Sequence, residues 1–116
     1  MTLQKNEFKV DDPIELAPQH YRVLLENDRV RVLEYRSKPG EKSSVHSHPD
    51  SVIYSFQPAT LTVSGLVSEA RNEVNLQPGE VIWRRETTHA VENTGNTDAR
   101  LLVVELKTNA EPVPLT

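Results

Sequence analysis

The chain has 116 residues and no cysteine, which excludes disulfides, thiolate metal sites and cysteine nucleophiles. Its four glycines are too few to build a glycine-rich loop that cradles phosphates. The N-terminal segment lacks the apolar stretch of a secretory signal, and no apolar run reaches the length that spans a membrane. We therefore expect a cytoplasmic protein that does not enter the membrane.

Apolar and aromatic residues are scarce, at 36% and 5%, whereas 26% of the residues are charged. A chain of this length forms one domain. Its small core suits a barrel with a site in the lumen, or a subunit that completes its burial in an oligomer. The net charge is -4, and basic residues alternate with acidic ones, as in Arg29–Arg36. This pattern argues against nucleic-acid binding.

Short strand-like runs separated by proline and glycine fill most of the chain. In residues 1–20, Pro13 and Pro18 interrupt any long helix, and we expect an extended N-terminal arm. Residues 21–108 show no helical period and predict an all-β barrel or sandwich, and residues 109–116 form a tail. The predicted strands are 21–25, 29–36, 45–48, 51–56, 60–63, 73–76, 81–84, 89–93 and 101–107.

The last of these strands is apolar on both faces. Its alternation predicts an inward row formed by Leu102, Val104 and Leu106, although Leu101 and Val103 are apolar as well. A strand covered on both faces suits a position between the barrel core and a partner subunit. A monomer with a small core is the alternative.

Three of the four histidines lie in two short segments, His46-Ser47-His48 and Thr88-His89. Side chains two residues apart on a strand point to the same face, so His46 and His48 can present both imidazoles to one point. With His89 from a neighbouring strand they would bind a divalent transition metal (Fe, Ni, Zn or Cu) and leave positions open for a ligand. The alternative is three lumen histidines with ordinary hydrogen bonds. His20 lies outside both segments, and we expect it at the surface or in a strap.

Further candidates follow from continuing the alternation beyond His48. This register predicts that Val52, Tyr54 and Phe56 point inward, and that Ser51, Ile53 and Ser55 point outward. Tyr54 is then the candidate catalytic residue, as a proton donor or a hydrogen-bond partner of the substrate. Val52 would line the substrate pocket. Alternatively, Tyr54 simply fills the barrel.

Two residues on the strand before His89 complete the predicted substrate pocket. Trp83, the only tryptophan, is expected in its wall, with a core position as the alternative. The guanidinium of Arg84 could pair with a substrate carboxylate, with a solvated surface charge as the alternative. Three neutral imidazoles around a divalent ion leave a positive charge, which also favours a small carboxylate-bearing ligand.

The glycines and histidines are spaced in two motifs, Gly40, His46 and His48 in the first and Gly79, His89 and Asn93 in the second. In these motifs, within residues 30–107, the chain resembles the cupin superfamily, whose fold is the double-stranded β-helix or jelly-roll barrel. The carboxylate that usually ends the first motif is absent, because Val52 or Ile53 stands there. The run around His46 is similar to a bacterial subgroup of single-domain cupins, one branch of which is named for β-alanine degradation.

This resemblance implies a metal on the three histidines, a homodimer and a small-molecule ligand. Cupin thiol dioxygenases have a similar three-histidine site, so a dioxygenase-like reaction or an isomerase or lyase step on a small carboxylate is our expectation. The alternative is a non-catalytic cupin that binds a metabolite, with metal absent or incidental. The residues alone leave open whether the protein is an enzyme.

Overall fold

The computed structural model describes residues 11–65 and 71–107, which are almost entirely β-strand and turn. The elements are α1 (Pro13–Leu16), β1 (Tyr21–Glu26), β2 (Val30–Ser37), β3 (His46–His48), β4 (Ser51–Ser55), β5 (Ala59–Gly65), β6 (Arg71–Leu76), β7 (Val81–Arg84), β8 (Thr87–Asn93) and β9 (Ala99–Leu106). The all-β prediction is confirmed. No helix of the described residues is long and apolar enough to cross a membrane.

The strands form two antiparallel sheets whose inner faces pack on each other. One sheet has five strands in the order β1-β2-β9-β4-β7, and the other has four in the order β3-β8-β5-β6. Strands that follow each other in the sequence, such as β3 and β4, therefore often lie in different sheets. The core between the sheets is formed by Leu33, Tyr35, Leu61, Leu76, Val91, Leu101 and Val103.

Two predicted chain breaks are Pro-Gly turns that need glycine. Gly40 and Gly79 have φ angles of 87° and 84°, a region that side chains with a Cβ disfavour. In the first turn, the amide of Gly40 donates to the carbonyl of Asn93 over 2.8 Å. The Asn93 side chain is buried and bonds Gly95, Thr97 and Ser37. The non-histidine residues of both motifs thus have structural roles.

The inward row of β9 is the reverse of the predicted one. Leu101, Val103 and Glu105 are buried, whereas Leu102, Val104 and Leu106 lie half-buried on the outer face of the five-stranded sheet. Both rows are apolar, so alternation could not choose between them. Polar partners inside the barrel fix the choice, because Glu105 bonds to buried groups there.

The predicted register of β4 is also wrong. Ser51 and Ser55 are buried, while Tyr54 is 37% exposed on the outer face. Alternation does not carry over from His48 because β3 and β4 belong to different sheets and the Pro49-Asp50 turn separates them. Asp50 holds this turn in place by accepting the amide of Glu86 at 2.8 Å. The same reversal takes Val52 and Phe56 out of the barrel interior.

The start of the described chain forms a helical turn where the sequence predicts an extended arm. Asp12 caps α1 by accepting the amide of Ile14 at 3.0 Å, and Pro13 occupies the first helical position, where no amide is needed. His20 is buried, and its Nδ1–H donates to the carbonyl of Arg36 at 2.9 Å. Residues 1–10 of the predicted arm and the tail 109–116 lie outside the described residues.

Candidate metal centre

His46, His48 and His89 meet inside the barrel. His46 and His48 are the inward residues of β3, and His89 stands directly opposite His46 in the β3–β8 register. One ring nitrogen from each of the three lies within 4.8 Å of the others, and all three side chains are buried. The predicted convergence is confirmed. Binding of a metal by these histidines stays a prediction.

Hydrogen bonds fix the tautomers of two of these rings. His46 Nδ1 lies 2.7 Å from the carbonyl oxygen of Ser44, and His48 Nδ1 lies 2.6 Å from Oε2 of Glu105. Because a carbonyl and a carboxylate can only accept, Nδ1 carries the proton in both histidines. In the neutral form, each ring therefore has its lone pair on Nε2, which is the form that binds a metal.

His89 supplies the strongest indication that these residues fit a metal. Both ring nitrogens are buried, and within residues 11–65 and 71–107 neither finds a hydrogen-bond partner. An unsatisfied buried polar group of this kind costs about 1–3 kcal/mol. The ring packs edge-on against His46 and His48, with centroids 4.9 and 5.3 Å away. A divalent transition metal bound by all three histidines would occupy one of these two nitrogens, so the residues fit the group that the fold implies.

Burial keeps two of the imidazoles neutral. Desolvation lowers the pKa of His46 to about 4 and that of His89 to about 2, with the neighbouring His48 as the next cause in each. A histidine must be deprotonated to bind a metal. In the metal-free protein these two rings are therefore already in the metal-binding state at neutral pH.

Tyr21 is a site residue that the sequence analysis missed. Its hydroxyl donates to Nε2 of His46 over 3.2 Å, and its ring packs against both His46 and His48. Burial raises the pKa of Tyr21 well above its ordinary value, so the group stays a neutral hydroxyl. The sequence gives no signal for this, because β1 precedes both motifs and shares no spacing with them.

A cavity of about 50 Å³ extends from the histidines into the barrel. Its walls are mostly aliphatic side chains of both sheets, including Leu61, Leu76, Ile82 and Val103. His48, His89 and Tyr21 form part of the lining, and Arg84 contributes the only guanidinium of the described residues there. The cavity thus combines an apolar body with a polar end.

Of the predicted pocket residues, only Arg84 lines this cavity. Trp83 pairs with Val52 across β7 and β4, and both lie on the outer face, where Trp83 is 53% exposed. Tyr54 is on the same face and packs edge-on against Phe56. The placement of Val52, Tyr54 and Trp83 in the lumen is wrong because the β4 register is reversed. The cavity positions belong to Ser51 and Ile53 on β4, and to Ile82 and Arg84 on β7.

Solved structures with a similar fold include a cupin-domain protein and a protein with a double-stranded β-helix domain. A cupin-domain protein from Bordetella pertussis Tohama I is 28% identical to this chain, with 76% of this chain and 92% of that one covered and a TM-score of 0.70. A protein from Klebsiella pneumoniae with a double-stranded β-helix domain is 19% identical, with 78% of each chain covered and a TM-score of 0.60. The polyketide cyclase RemF from Streptomyces resistomycificus is 23% identical, with 78% and 66% covered and a TM-score of 0.56.

The fold is therefore the cupin double-stranded β-helix, as the motifs predicted. No family model matches the chain, and no curated protein does. The structural similarity supports the cupin superfamily, and the narrower β-alanine subgroup is not confirmed. Within this fold, the three buried histidines are close enough to bind one metal ion.

Proposed function

We propose that this protein is a small metal-dependent cupin that binds a divalent transition metal through His46, His48 and His89 and acts on a small carboxylate-bearing molecule. The observation that carries the proposal is the buried His89 ring, whose nitrogens have no partner in the described part of the chain and face two other imidazoles. A metal held there would supply a Lewis-acid or redox centre. The expected cytoplasmic location stays a prediction.

The charges and walls around the site support a carboxylate with an aliphatic body. Three neutral imidazoles do not offset the charge of a divalent ion, and Arg84 adds a further positive charge at the cavity. The hydroxyl of Tyr21 donates to Nε2 of His46 in the metal-free protein, and it would be released to donate to a ligand when that nitrogen binds a metal. Among the described residues, no carboxylate lines the cavity to pair with an ammonium group. Propionate and its branched homologues therefore fit better than β-alanine, for which the resembling subgroup is named.

The test begins with protein purified without a histidine tag. Elemental analysis gives the metal content per chain, and calorimetric titration of the loaded protein with propionate, isobutyrate and β-alanine gives the ligand preference. The proposal expects metal near one ion per chain, and tighter binding of the two aliphatic acids. Metal-dependent turnover of any of these acids, with or without dioxygen, would establish the enzyme. Protein that neither contains nor takes up metal would overturn the proposal.

Replacing Arg84 with methionine tests the carboxylate contact separately. The substitution keeps an apolar side chain of similar length and removes the guanidinium. Loss of a hydrogen bond to a charged group costs about 1.5–3 kcal/mol, so we expect isobutyrate binding to weaken about 10- to 100-fold. Arg85→Met is the matched control, because Arg85 is exposed and does not line the cavity. Equal affinities in the two variants would remove Arg84 from the site.

The second candidate function is a non-catalytic carrier of a small organic acid. The small aliphatic cavity favours it, because such a lumen can bind an apolar ligand without a metal. It predicts the same carboxylate preference in metal-free protein. Unchanged affinity after complete removal of metal with a chelator would favour the carrier over the enzyme.

We also propose that the chain is a homodimer that pairs through the outer face of the five-stranded sheet. Val81 and Trp83 are 59% and 53% exposed there, beside Tyr54 and Phe56. Contiguous apolar side chains of this size usually mark an interface. A second copy, with the same face, is the partner that the resemblance to cupins implies.

A charge on this face should separate the subunits. We expect Val81→Glu to shift the protein from dimer to monomer in size-exclusion chromatography with light scattering. Val45→Glu is the control, since Val45 is also exposed, at 41%, but lies outside the five-stranded sheet. A wild-type protein that stays monomeric at a concentration of about 100 μM would overturn the proposal, because a stable dimer has a Kd well below that concentration.

A further inference from the structure

A chain of buried charges connects the N-terminal helical turn with one of the histidines. The guanidinium of Arg31 donates to both carboxylate oxygens of Asp12 at 2.8 and 2.9 Å, and through Nε to Oε1 of Glu105 at 2.9 Å. The other oxygen of Glu105 accepts the Nδ1–H of His48 at 2.6 Å. Asp12, Glu105 and His48 are all less than 9% exposed. The contacts thus form one continuous path from α1 to the candidate metal centre.

This path fixes the orientation of His48. Because Arg31 occupies Oε1 of Glu105, Oε2 is left to face the imidazole. The bond holds the proton of His48 on Nδ1 and turns Nε2 towards His46 and His89. His46 is held instead by the backbone carbonyl of Ser44, and in the described part of the chain no hydrogen bond holds His89. Among the three rings, only His48 therefore has its Nδ1 proton bound by a side chain in the described part of the chain, since the Tyr21 hydroxyl contacts His46 at Nε2 instead.

We propose that Glu105 is the positioning residue of His48, and that Arg31 and Asp12 hold Glu105 in place, so that the N-terminal turn is part of the metal centre. This inference rests on the proposed function only in assuming that the three histidines bind a metal. The orientation of the ring is a property of the metal-free protein. It also gives the last strand of the barrel a role in the site that neither motif contains.

The same sheet provides a control carboxylate on its other face. Glu34 is 3% exposed, as Glu105 is, and it bonds the arginines Arg22, Arg36 and Arg100. None of these residues contacts the three histidines. Glu34→Gln therefore removes a buried, arginine-bound carboxylate without touching the site, and it reports the structural cost of such a change.

The experiment compares Glu105→Gln, Glu34→Gln and the wild type with Co²⁺ as the probe. Loss of a partner that orients a metal-binding histidine typically lowers metal affinity about 10- to 100-fold. We expect this loss, with an altered visible Co²⁺ spectrum, in Glu105→Gln and an unchanged affinity in Glu34→Gln. Asp12→Asn should weaken Co²⁺ binding less than Glu105→Gln does. Equal Co²⁺ affinities in all variants would overturn the inference.

A second readout needs no metal. Nitrogen-15 NMR of the metal-free protein distinguishes the two histidine tautomers, and it should show His48 protonated on Nδ1 in the wild type and in Glu34→Gln. In Glu105→Gln we expect a mixture of tautomers. Asp12→Asn should shift the tautomers of His48 in the same direction. This shift would support the positioning role even if Glu105→Gln fails to fold. A wild type that binds no Co²⁺ but shows the Nδ1 tautomer would refute the proposed function and leave the positioning role supported. A wild-type His48 protonated on Nε2 would refute the positioning role itself.

Discussion

Replacing His48 with alanine is expected to lower the metal content of the untagged protein from near one ion per chain to below about one tenth. Catalytic metal sites generally have three protein ligands, and removing one of three leaves too few to retain the ion through purification. The change should also lower the stability of the fold by about 1–3 kcal/mol, because it leaves Oε2 of the buried Glu105 without its partner. Elemental analysis beside a thermal unfolding curve measures both effects.

His20→Ala is the matched control for this substitution. His20 is buried to a similar degree, 6% exposed against 7% for His48, and its Nδ1 also makes a hydrogen bond. It does not belong to the cluster of three histidines. We therefore expect His20→Ala to keep its metal even if it unfolds at a lower temperature. Unchanged metal content in His48→Ala would contradict its assignment as a ligand.

The part of the site that the sequence predicted rests on short-range geometry. His46 and His48 share a face because the period of a strand is two residues, and this holds within any single strand. The Pro-Gly turns at Gly40 and Gly79 are equally local, and the structure has both. That His89 joins them from a neighbouring strand is a hypothesis that the resemblance of both motifs to cupins supports, and its position opposite His46 is a finding of the structure. No local pattern would have paired these strands.

The predictions that failed depend on which sheet a strand joins. The alternation that placed Tyr54 inside was extended across the Pro49-Asp50 turn, where the chain passes from one sheet to the other. Tyr21 occupies the position beside the histidines that was predicted for Tyr54. Both tyrosines lie on strands of the same sheet, and only the tertiary register decides which of them faces the interior.

Glu105 could not be found from the first motif, whose carboxylate position holds Val52 or Ile53. The partner of His48 lies 57 residues further along the chain, on a strand whose two faces are both apolar. Its carboxylate sits behind the imidazole rather than among the nitrogen atoms that would bind the metal. The guanidinium of Arg31 offsets the charge of Glu105, with 2.9 Å between Nη2 of Arg31 and Oε1 of Glu105. The site around a divalent ion therefore stays positive, and the expectation of an anionic ligand survives the discovery of this carboxylate.

Acid should destabilise the metal-free protein strongly. The pKa of His46 is lowered to about 4 and that of His89 to about 2, whereas both have a pKa near 6.5 in the unfolded chain. Above about pH 6.5 neither the folded nor the unfolded state binds a proton at these rings, so the free energy of unfolding does not change with their titration. Below that pH the unfolded chain binds protons at these two histidines, whereas the folded protein does not until the pH approaches their lowered pKa values. The free energy of unfolding therefore falls by up to about 1.4 kcal/mol per pH unit for each histidine.

Urea unfolding of metal-free protein at about pH 7 and about pH 5 measures this loss, which we expect to be about 2–4 kcal/mol. That is a large share of the 5–15 kcal/mol typical of a domain. His89→Asn should flatten the dependence, because it removes the ring that resists protonation most, while His20→Ala should leave the dependence in place. Protein loaded with Zn²⁺ should resist acid further, since protons must first displace the metal from the imidazoles. A free energy of unfolding that stays constant from about pH 7 to about pH 5 would contradict the burial of two neutral imidazoles on which the proposed metal centre depends.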